Sequence, residues 1–251
     1  MSRQEGIERI VRRLETRAPL SAEDRAAVYA LPFTERSLDA QSYIVREGEA
    51  PTHCVLLLGG FAYRHKVTGE GERQIIAIHL PGEFLDLQNS FLGIADHNVQ
   101  ALTRCDIATV PVAALQELAE TRPLVGRAMW IDTLIDAAIY REWLVNVGRR
   151  NSLSRLAHLL CEFALRLEAA GLAGECGYEL PMTQEQLADT TGLTPVHINR
   201  VLKELGRMGL IERSKRAVTI LDWDRLRQVG DFSTRYLHLE AGGPTNLASA
   251  R

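Results

Sequence analysis

Apolar residues recur every three or four positions at both ends of the chain, and in short strand-like runs between. Across residues 3–17, Ile7, Ile10, Val11 and Leu14 share one face, which predicts an amphipathic helix. Ser21, with Asp24 and Arg25 after it, signals the start of a second short helix. From about Leu38 the period shortens. Tyr43-Ile44-Val45, Cys54-Val55-Leu56-Leu57-Leu58, Phe61-Ala62-Tyr63, Gln74-Ile75-Ile76-Ala77-Ile78 and Ile107-Ala108-Thr109-Val110 read as strands. Glu47-Gly48-Glu49, Gly59-Gly60, Thr68-Gly69-Glu70-Gly71 and Pro81-Gly82-Glu83 supply the turns between them, a rhythm that predicts a small all-β barrel or jelly roll.

The helical period returns at Ala113. After Pro123 no proline interrupts a segment in which Trp130, Leu134, Ala137, Ile139 or Tyr140, Leu144 and Val147 recur at three- or four-residue spacing. A helix of about 25 residues would be about 37 Å long, more than a small barrel needs as cover. Trp130, Leu134, Ala137, Leu144 and Val147 are therefore assigned to a contact between two copies of the chain. Asn151-Ser152 caps a further helix over 153–169, with Leu156, Leu159, Leu160, Phe163 and Leu167 inward. A loop over 171–177 and a short strand at Tyr178-Glu179-Leu180 follow.

Residues 182–216 carry the most specific pattern. Thr183 and Gln186 form a capping box ahead of a helix over 184–190, and Gly192 ends it. Thr194 caps a second helix with Pro195 in its first turn, closed by Gly209. Leu187 and Ala188 face Ile198, Val201, Leu202 and Leu205 across the turn, the spacing of a helix-turn-helix. Its outer face presents Val196, His197, Asn199, Arg200, Lys203 and Arg207. Leu210-Ile211-Glu212-Arg213 and Ala217-Val218-Thr219-Ile220-Leu221 pair around Ser214-Lys215-Arg216 as a wing, followed by a last helix over 222–229.

Net charge is −3 over 251 residues, yet between Pro195 and Arg216 six Lys/Arg stand against Glu204 and Glu212. Local positive charge is what a DNA contact needs, and the overall acidity does not oppose it. No apolar run approaches the roughly 20 residues of a membrane span, and the N-terminus has no signal-peptide core, so a cytoplasmic protein with no membrane partner is expected. Cys54, Cys105, Cys161 and Cys176 lack CxxC spacing and read as free, buried thiols, with no metal site and no cofactor expected. Gly-x-Ser-x-Gly, a phosphate loop and His-Glu-x-x-His are all missing, so no catalytic residues are assigned and an enzyme is not expected.

Arg46-Glu47-Gly48-Glu49, Leu58-Gly59-Gly60, Leu80-Pro81-Gly82-Glu83-Phe84, the stretch from Thr183 through Arg200, and Gly209-Leu210-Ile211 together resemble the bacterial superfamily of the cyclic-AMP receptor protein and the fumarate-and-nitrate-reductase regulator (Crp-Fnr). The resemblance spans about residues 31–229 and implies an α+β fold: an N-terminal double-stranded β-helix (jelly-roll) sensor domain, a long dimerisation helix and a C-terminal winged helix-turn-helix. The expected domains are 1–112 for the helices and cyclic-nucleotide-binding-like roll, 113–150 for the dimer helix, 151–240 for the DNA reader, and 241–251 as a disordered tail. A homodimer on double-stranded DNA is implied, reading a pseudo-palindromic operator, with RNA polymerase as a further partner.

Carried over by position, Pro195, Val196, His197, Asn199 and Arg200 are the expected base readers, with Arg200 on guanine. Thr183, Thr194, Lys203, Ser214, Lys215 and Arg216 are the expected phosphate contacts. Pro195-Val196 replaces the arginine–glutamate pair of cyclic-AMP-type members, which implies a different operator. In the sensor half, His97-Asn98 stands where those members carry an arginine–serine pair for the cyclic phosphate, which argues against cyclic AMP. The N-terminal cysteine cluster of the oxygen-sensing members is also missing. The candidate effector pocket is His79, Asp86, Gln88, Asn89, His97 and Asn98, met by Tyr140 and Arg141 from the long helix; its small-molecule effector is unknown. Two other readings of the roll stay open: a cupin-like metal enzyme using His65, His79, Glu83 and His97, though without the His-x-His spacing, and a haem sensor using His53, Cys54, His79 or His97.

Overall fold

The computed structural model describes residues 3–173 and 177–239. The expected disordered tail and Cys176 lie outside the described residues. The chain divides into two compact units: residues up to 67 with 76–137, and residues 68–75 with those from 138 on.

In the first unit, α1 (Arg3–Glu15) and α2 (Ala22–Tyr29) precede the roll. Ser21, the expected start signal of α2, caps it in a full capping box with Asp24. The roll's strands are β1 (Thr34–Leu38), β2 (Tyr43–Val45), β3 (His53–Gly59), β4 (Ala62–Val67), β5 (Arg73–His79), β6 (Asn98–Ala101) and β7 (Cys105–Pro111), with a short helix α3 (Asn89–Leu92) between β5 and β6. They form a three-stranded sheet, β1-β7-β3, and a four-stranded sheet, β2-β6-β4-β5.

The apolar run of β3 is explained by burial on both faces. Cys54, Leu56 and Leu58 pack with Ile7, Ile10, Val11 and Leu14 of α1. Val55 and Leu57 turn into the roll with Val45, Leu85, Val99 and Ile107. Gly60 is needed at the β3–β4 turn: its φ is +78°, and a Cβ there would stand 2.2 Å from the Arg104 carbonyl.

Two strands and α3 escape the hydrophobic pattern. β1 (TERSL) is almost wholly exposed and is held by its antiparallel ladder to β7, from Thr34 opposite Thr109 to Leu38 opposite Cys105. β6 is only NVQA, and its buried Gln100 accepts a hydrogen bond from the Tyr63 hydroxyl at 2.6 Å.

Helices α4 (Val112–Thr121) and α5 (Pro123–Arg149) follow. At 27 residues α5 is about 40 Å long. On one face, exposed positions recur as Pro123, Arg127, Trp130, Leu134, Arg141, Leu144 and Gly148, with half-buried Ala137 completing a three–four alternation and exposed Leu124, Val145 and Arg149 beside it. Trp130 is 66% exposed and Leu144 71%. Val147 is half-buried, one position off this stripe, and Arg141 and Gly148 lie on it instead.

The second unit carries the helix-turn-helix. Asn151 caps α6 (Ser152–Ala169) through the Ser154 amide. A three-stranded sheet, β8-β10-β9, is built from β8 (Tyr178–Glu179), β9 (Ile211–Ser214) and β10 (Ala217–Ile220). The helix-turn-helix is α7 (Gln184–Thr191) and α8 (Pro195–Arg207), and α9 (Trp223–Val229) comes after the wing. No helix among the described residues is long and apolar enough to cross a membrane.

Candidate nucleic-acid interface

Local chemistry fixes the helix-turn-helix. Thr183 accepts from the Gln186 amide at 3.2 Å, and Gln186 accepts from the Thr183 amide at 2.9 Å. Gly192 takes φ +63° and ends α7, donating its N–H to the Ala188 carbonyl. Thr194 accepts from the His197 amide at 3.3 Å, and Pro195 occupies the first turn of α8. Leu187, Ala188, Ile198, Val201, Leu202 and Leu205 are all buried, so the two helices share one core. The side chain at 188 is only a methyl, which permits the close crossing.

That core leaves the opposite face of α8 in water. Pro195, Val196, His197, Arg200, Lys203 and Arg207 are exposed, Val196 by 72%, and Asn199 is half-buried. Thr183 and Thr194 are exposed too, but each hydroxyl oxygen already accepts an amide hydrogen; the hydroxyl proton remains for a phosphate oxygen. Ser214, Lys215 and Arg216 are exposed at the wing, with Lys215 in the left-handed region at φ +55°. Arg213 joins them, its guanidinium donating to the Lys215 carbonyl at 3.1 Å. Val196, His197, Arg200 and Lys203 thus share the exposed face of α8, Ser214, Lys215 and Arg216 the hairpin tip, and Thr183 the start of α7.

Sequence reasoning missed the residues that brace this surface. Arg155 of α6 donates to the Thr191 carbonyl at 3.0 Å and the Gly192 carbonyl at 3.4 Å, the turn between α7 and α8. Arg73 donates to Asp189 of α7 at 2.7 Å, and the Gln74 amide reaches the Thr190 carbonyl at 3.3 Å. Each pairs positions far apart in the chain, so no local pattern announces it.

The roll's polar residues are placed differently from the sequence grouping. Asp86 is buried, and its Oδ1 accepts from the Val55 amide at 2.8 Å, bracing β3. Burial raises its carboxyl to about 6, against the pull of that amide, the Cys54 thiol and Arg64. His97 lies 2.5 Å from Asp96 and 3.4 Å from the Gln88 amide. Burial and then the Arg64 charge lower its pKa to about 4, so it is neutral at pH 7. Asn98 accepts from the Glu47 amide at 3.1 Å. Asn89 is 2% exposed, and neither end of its amide has a hydrogen-bond partner. Tyr140 is half-buried and Arg141 exposed, both in the second unit.

His79 instead belongs to an ion network. Its Nδ1 lies 3.1 Å from Glu83, Glu83 accepts from Arg13 at 3.1 Å, and the Arg13 Nε donates to both Asp132 oxygens at 3.0 Å. Arg17 adds a contact to Asp132 at 3.1 Å. Burial alone would lower the Arg13 guanidinium, but Asp132 and Glu83 hold it above its ordinary value. Burial lowers His79, with Glu83 opposing. Beside this network Arg64, 2% exposed, bonds Asp136 of α5 at 2.9 Å and the Leu85 carbonyl at 2.8 Å.

Among the described residues no three His, Cys, Asp or Glu side chains are placed to hold a metal ion. His53 is exposed at the start of β3, and Cys54 is buried with its thiol pushed up by burial. Cys54, Cys105 and Cys161 are free and buried.

Comparison with known proteins gives two matching families: the Crp-like helix-turn-helix domain over residues 154–229 and the cyclic nucleotide-binding domain over residues 35–122. The chain is 28% identical over 203 residues to the transcriptional activator protein FnrL of Cereibacter sphaeroides, covering 79% of this chain and 81% of that protein. It is 28% identical over 184 residues to the nitrogen fixation regulation protein FixK of Bradyrhizobium diazoefficiens, covering 71% and 74%. The solved structure of FixK2 from Bradyrhizobium japonicum superposes with a TM-score of 0.73 at 25% identity, over 79% of this chain and 98% of that one.

Proposed function

The chain belongs to the Crp-Fnr family of transcription regulators, and from that premise we propose that it works as a homodimer reading a two-fold DNA operator through α8. The observation that carries this reading is the exposed face of α8, where Val196, His197, Arg200 and Lys203 stand free of the core that holds the helix. Arg200 is assigned to guanine, Val196 to a thymine methyl, and His197 and Asn199 to base edges or phosphate, with Pro195 opening the helix against the groove. Thr183, Thr194, Lys203, Ser214, Lys215 and Arg216 are assigned to phosphates.

The exposed stripe on α5 is the dimer seam. A two-fold pairing along it would set the recognition helices about 34–36 Å apart, one turn of DNA. Because the relative FnrL is named a transcriptional activator, RNA polymerase is the further partner expected once the dimer is on DNA.

In the roll, the effector reading rests on the buried, unpartnered Asn89 amide and on the Gln88–His97 pair. Cyclic AMP is not the effector this reading expects. Its phosphate needs a cation, and His97 is neutral while the Arg64 guanidinium is already bonded to Asp136.

The test is selection of bound duplexes from a random pool, followed by mobility shifts with Arg200→Ala. That variant should lose discrimination at one base position of each half-site, about 1–3 kcal/mol per contact. Equal selectivity in both proteins would remove Arg200 from the base readers.

A further inference from the structure

Helix α6 buries two polar side chains within its apolar face, His158 and Glu162, the latter 1% exposed. The Glu162 carboxylate receives hydrogen bonds from three separate places. The Trp143 indole N–H, on α5, donates to both oxygens at 3.1 and 2.9 Å. The Tyr236 hydroxyl, from the segment after α9, donates at 2.7 Å, and Arg166 donates at 3.2 Å. His158 stands 3.0 Å from the same Tyr236 hydroxyl and 3.2 Å from the Gly230 carbonyl.

The segment carrying Tyr236 is packed as core. Phe232, Tyr236 and Leu237 are buried, and the Phe232 ring lies edge-on to His158 at 5.1 Å. The contact is backbone-close: a Cβ at Gly230 would stand 2.8 Å from the His158 nitrogen. These residues fall after position 229, where the matched helix-turn-helix domain ends. A carboxylate this buried is tolerated only when donors saturate it, so each donor is also held in place by it.

We propose that Glu162 is a positioning residue for DNA recognition, pinning Trp143 of the long helix and Tyr236 of the C-terminal segment to α6 and so fixing the angle at which the reader leaves that helix. None of the three side chains lies on the DNA-facing surface. Each acts through the orientation of α8. The inference rests on the preceding reading, because orientation matters only to a protein that must meet two half-sites at once.

The test uses the full chain and a duplex selected by the wild-type protein, with half-site spacing lengthened and shortened by one base pair. Glu162→Gln and Tyr236→Phe should bind a single half-site as the wild type does but lose roughly tenfold in discrimination between spacings, the cost of one hydrogen bond to a buried charge. A merely structural role would lower thermal stability and leave spacing discrimination unchanged, and that result overturns the proposal. Should Glu162→Gln fail to fold, Tyr236→Phe carries the test. A second readout needs no DNA: the indole ¹⁵N–¹H resonance of Trp143, assigned by its loss in Trp143→Phe, should move in Tyr236→Phe. An unmoved resonance overturns the clamp. If the wild type selects no duplex, the DNA-reader reading fails, while the resonance still decides whether Tyr236 holds Trp143 through Glu162.

Discussion

Arg200 stands exposed on α8, whereas Arg64 in the roll is buried, with one nitrogen on Asp136 and another on the Leu85 carbonyl. The contrast extends to their neighbours. Around Arg200 the helix shows solvent Val196, His197 and Lys203. In the roll, His79, Glu83, Asp86 and His97 are all buried, each hydrogen-bonded within the chain. An exposed cation keeps its hydration until a phosphate displaces it, so it costs the fold almost nothing. A buried ion must find its counter-charge inside the protein, and its chemistry is spent on the fold. The reader is therefore built to meet something outside the chain, and the roll is wired chiefly to itself.

The sharpest way to break this contrast is to remove the proposed connection between two readers. Leu144→Asp places a charge on the exposed stripe of α5, at a side chain 71% exposed. The variant should have half the wild-type mass under native conditions. Its affinity for the two-half-site duplex should fall roughly 10²–10⁴-fold, the avidity lost when two linked contacts become one. A variant that stays dimeric and binds as before would move the seam elsewhere on the molecule.

Asp86 tests the other side of the contrast. Burial lifts its carboxyl from the ordinary 3.8 to about 6, so the folded protein holds this proton more tightly than the unfolded chain. The resulting stability is fully present below about pH 4 and is lost as pH rises through about 6. Asparagine keeps an oxygen for the Val55 amide but carries no charge to bury. Asp86→Asn should therefore unfold at higher urea than the wild type above pH 6, by up to about 3 kcal/mol, with the gap closing near pH 4. No gain at pH 7 would mean that the roll's interior already compensates the carboxylate in full.

What could be read from the sequence follows the same divide. Thr183, Gln186, Gly192, Thr194 and Pro195 fix the helix-turn-helix through bonds spanning five residues or fewer, so a local pattern was enough to find it. The long helix and the apolar strands were equally legible from their periods. Strand β1 was missed because its residues are polar and exposed and only pairing with β7 makes them a strand. Strand alternation and proximity group His79, Asp86, Gln88, Asn89, His97 and Asn98; Gln88 does meet His97, yet Asp86 turns to Val55, His79 to Glu83 and Asn98 to Glu47. The one available signal was Glu162, a charge inside an otherwise apolar run on the inner face of α6. Such a residue announces a buried partner without naming it.

The smallest expected effect separates two kinds of contact on the reader itself. Lys203 lies one turn from Arg200 on the exposed face of α8, and alanine there preserves the helix. A lysine neutralising a phosphate releases bound counterions and carries no sequence information, whereas a guanidinium on guanine carries both affinity and choice. Lys203→Ala should thus weaken selected and unrelated duplexes by the same modest factor. Its plot of log affinity against log salt should be shallower by about one unit for each recognition helix bound. Arg200→Ala should instead flatten preference among sequences at any one salt concentration. If Lys203→Ala changes which duplex is preferred, Lys203 reads bases, and the base-reading surface of α8 extends one turn further along the groove than Arg200 marks.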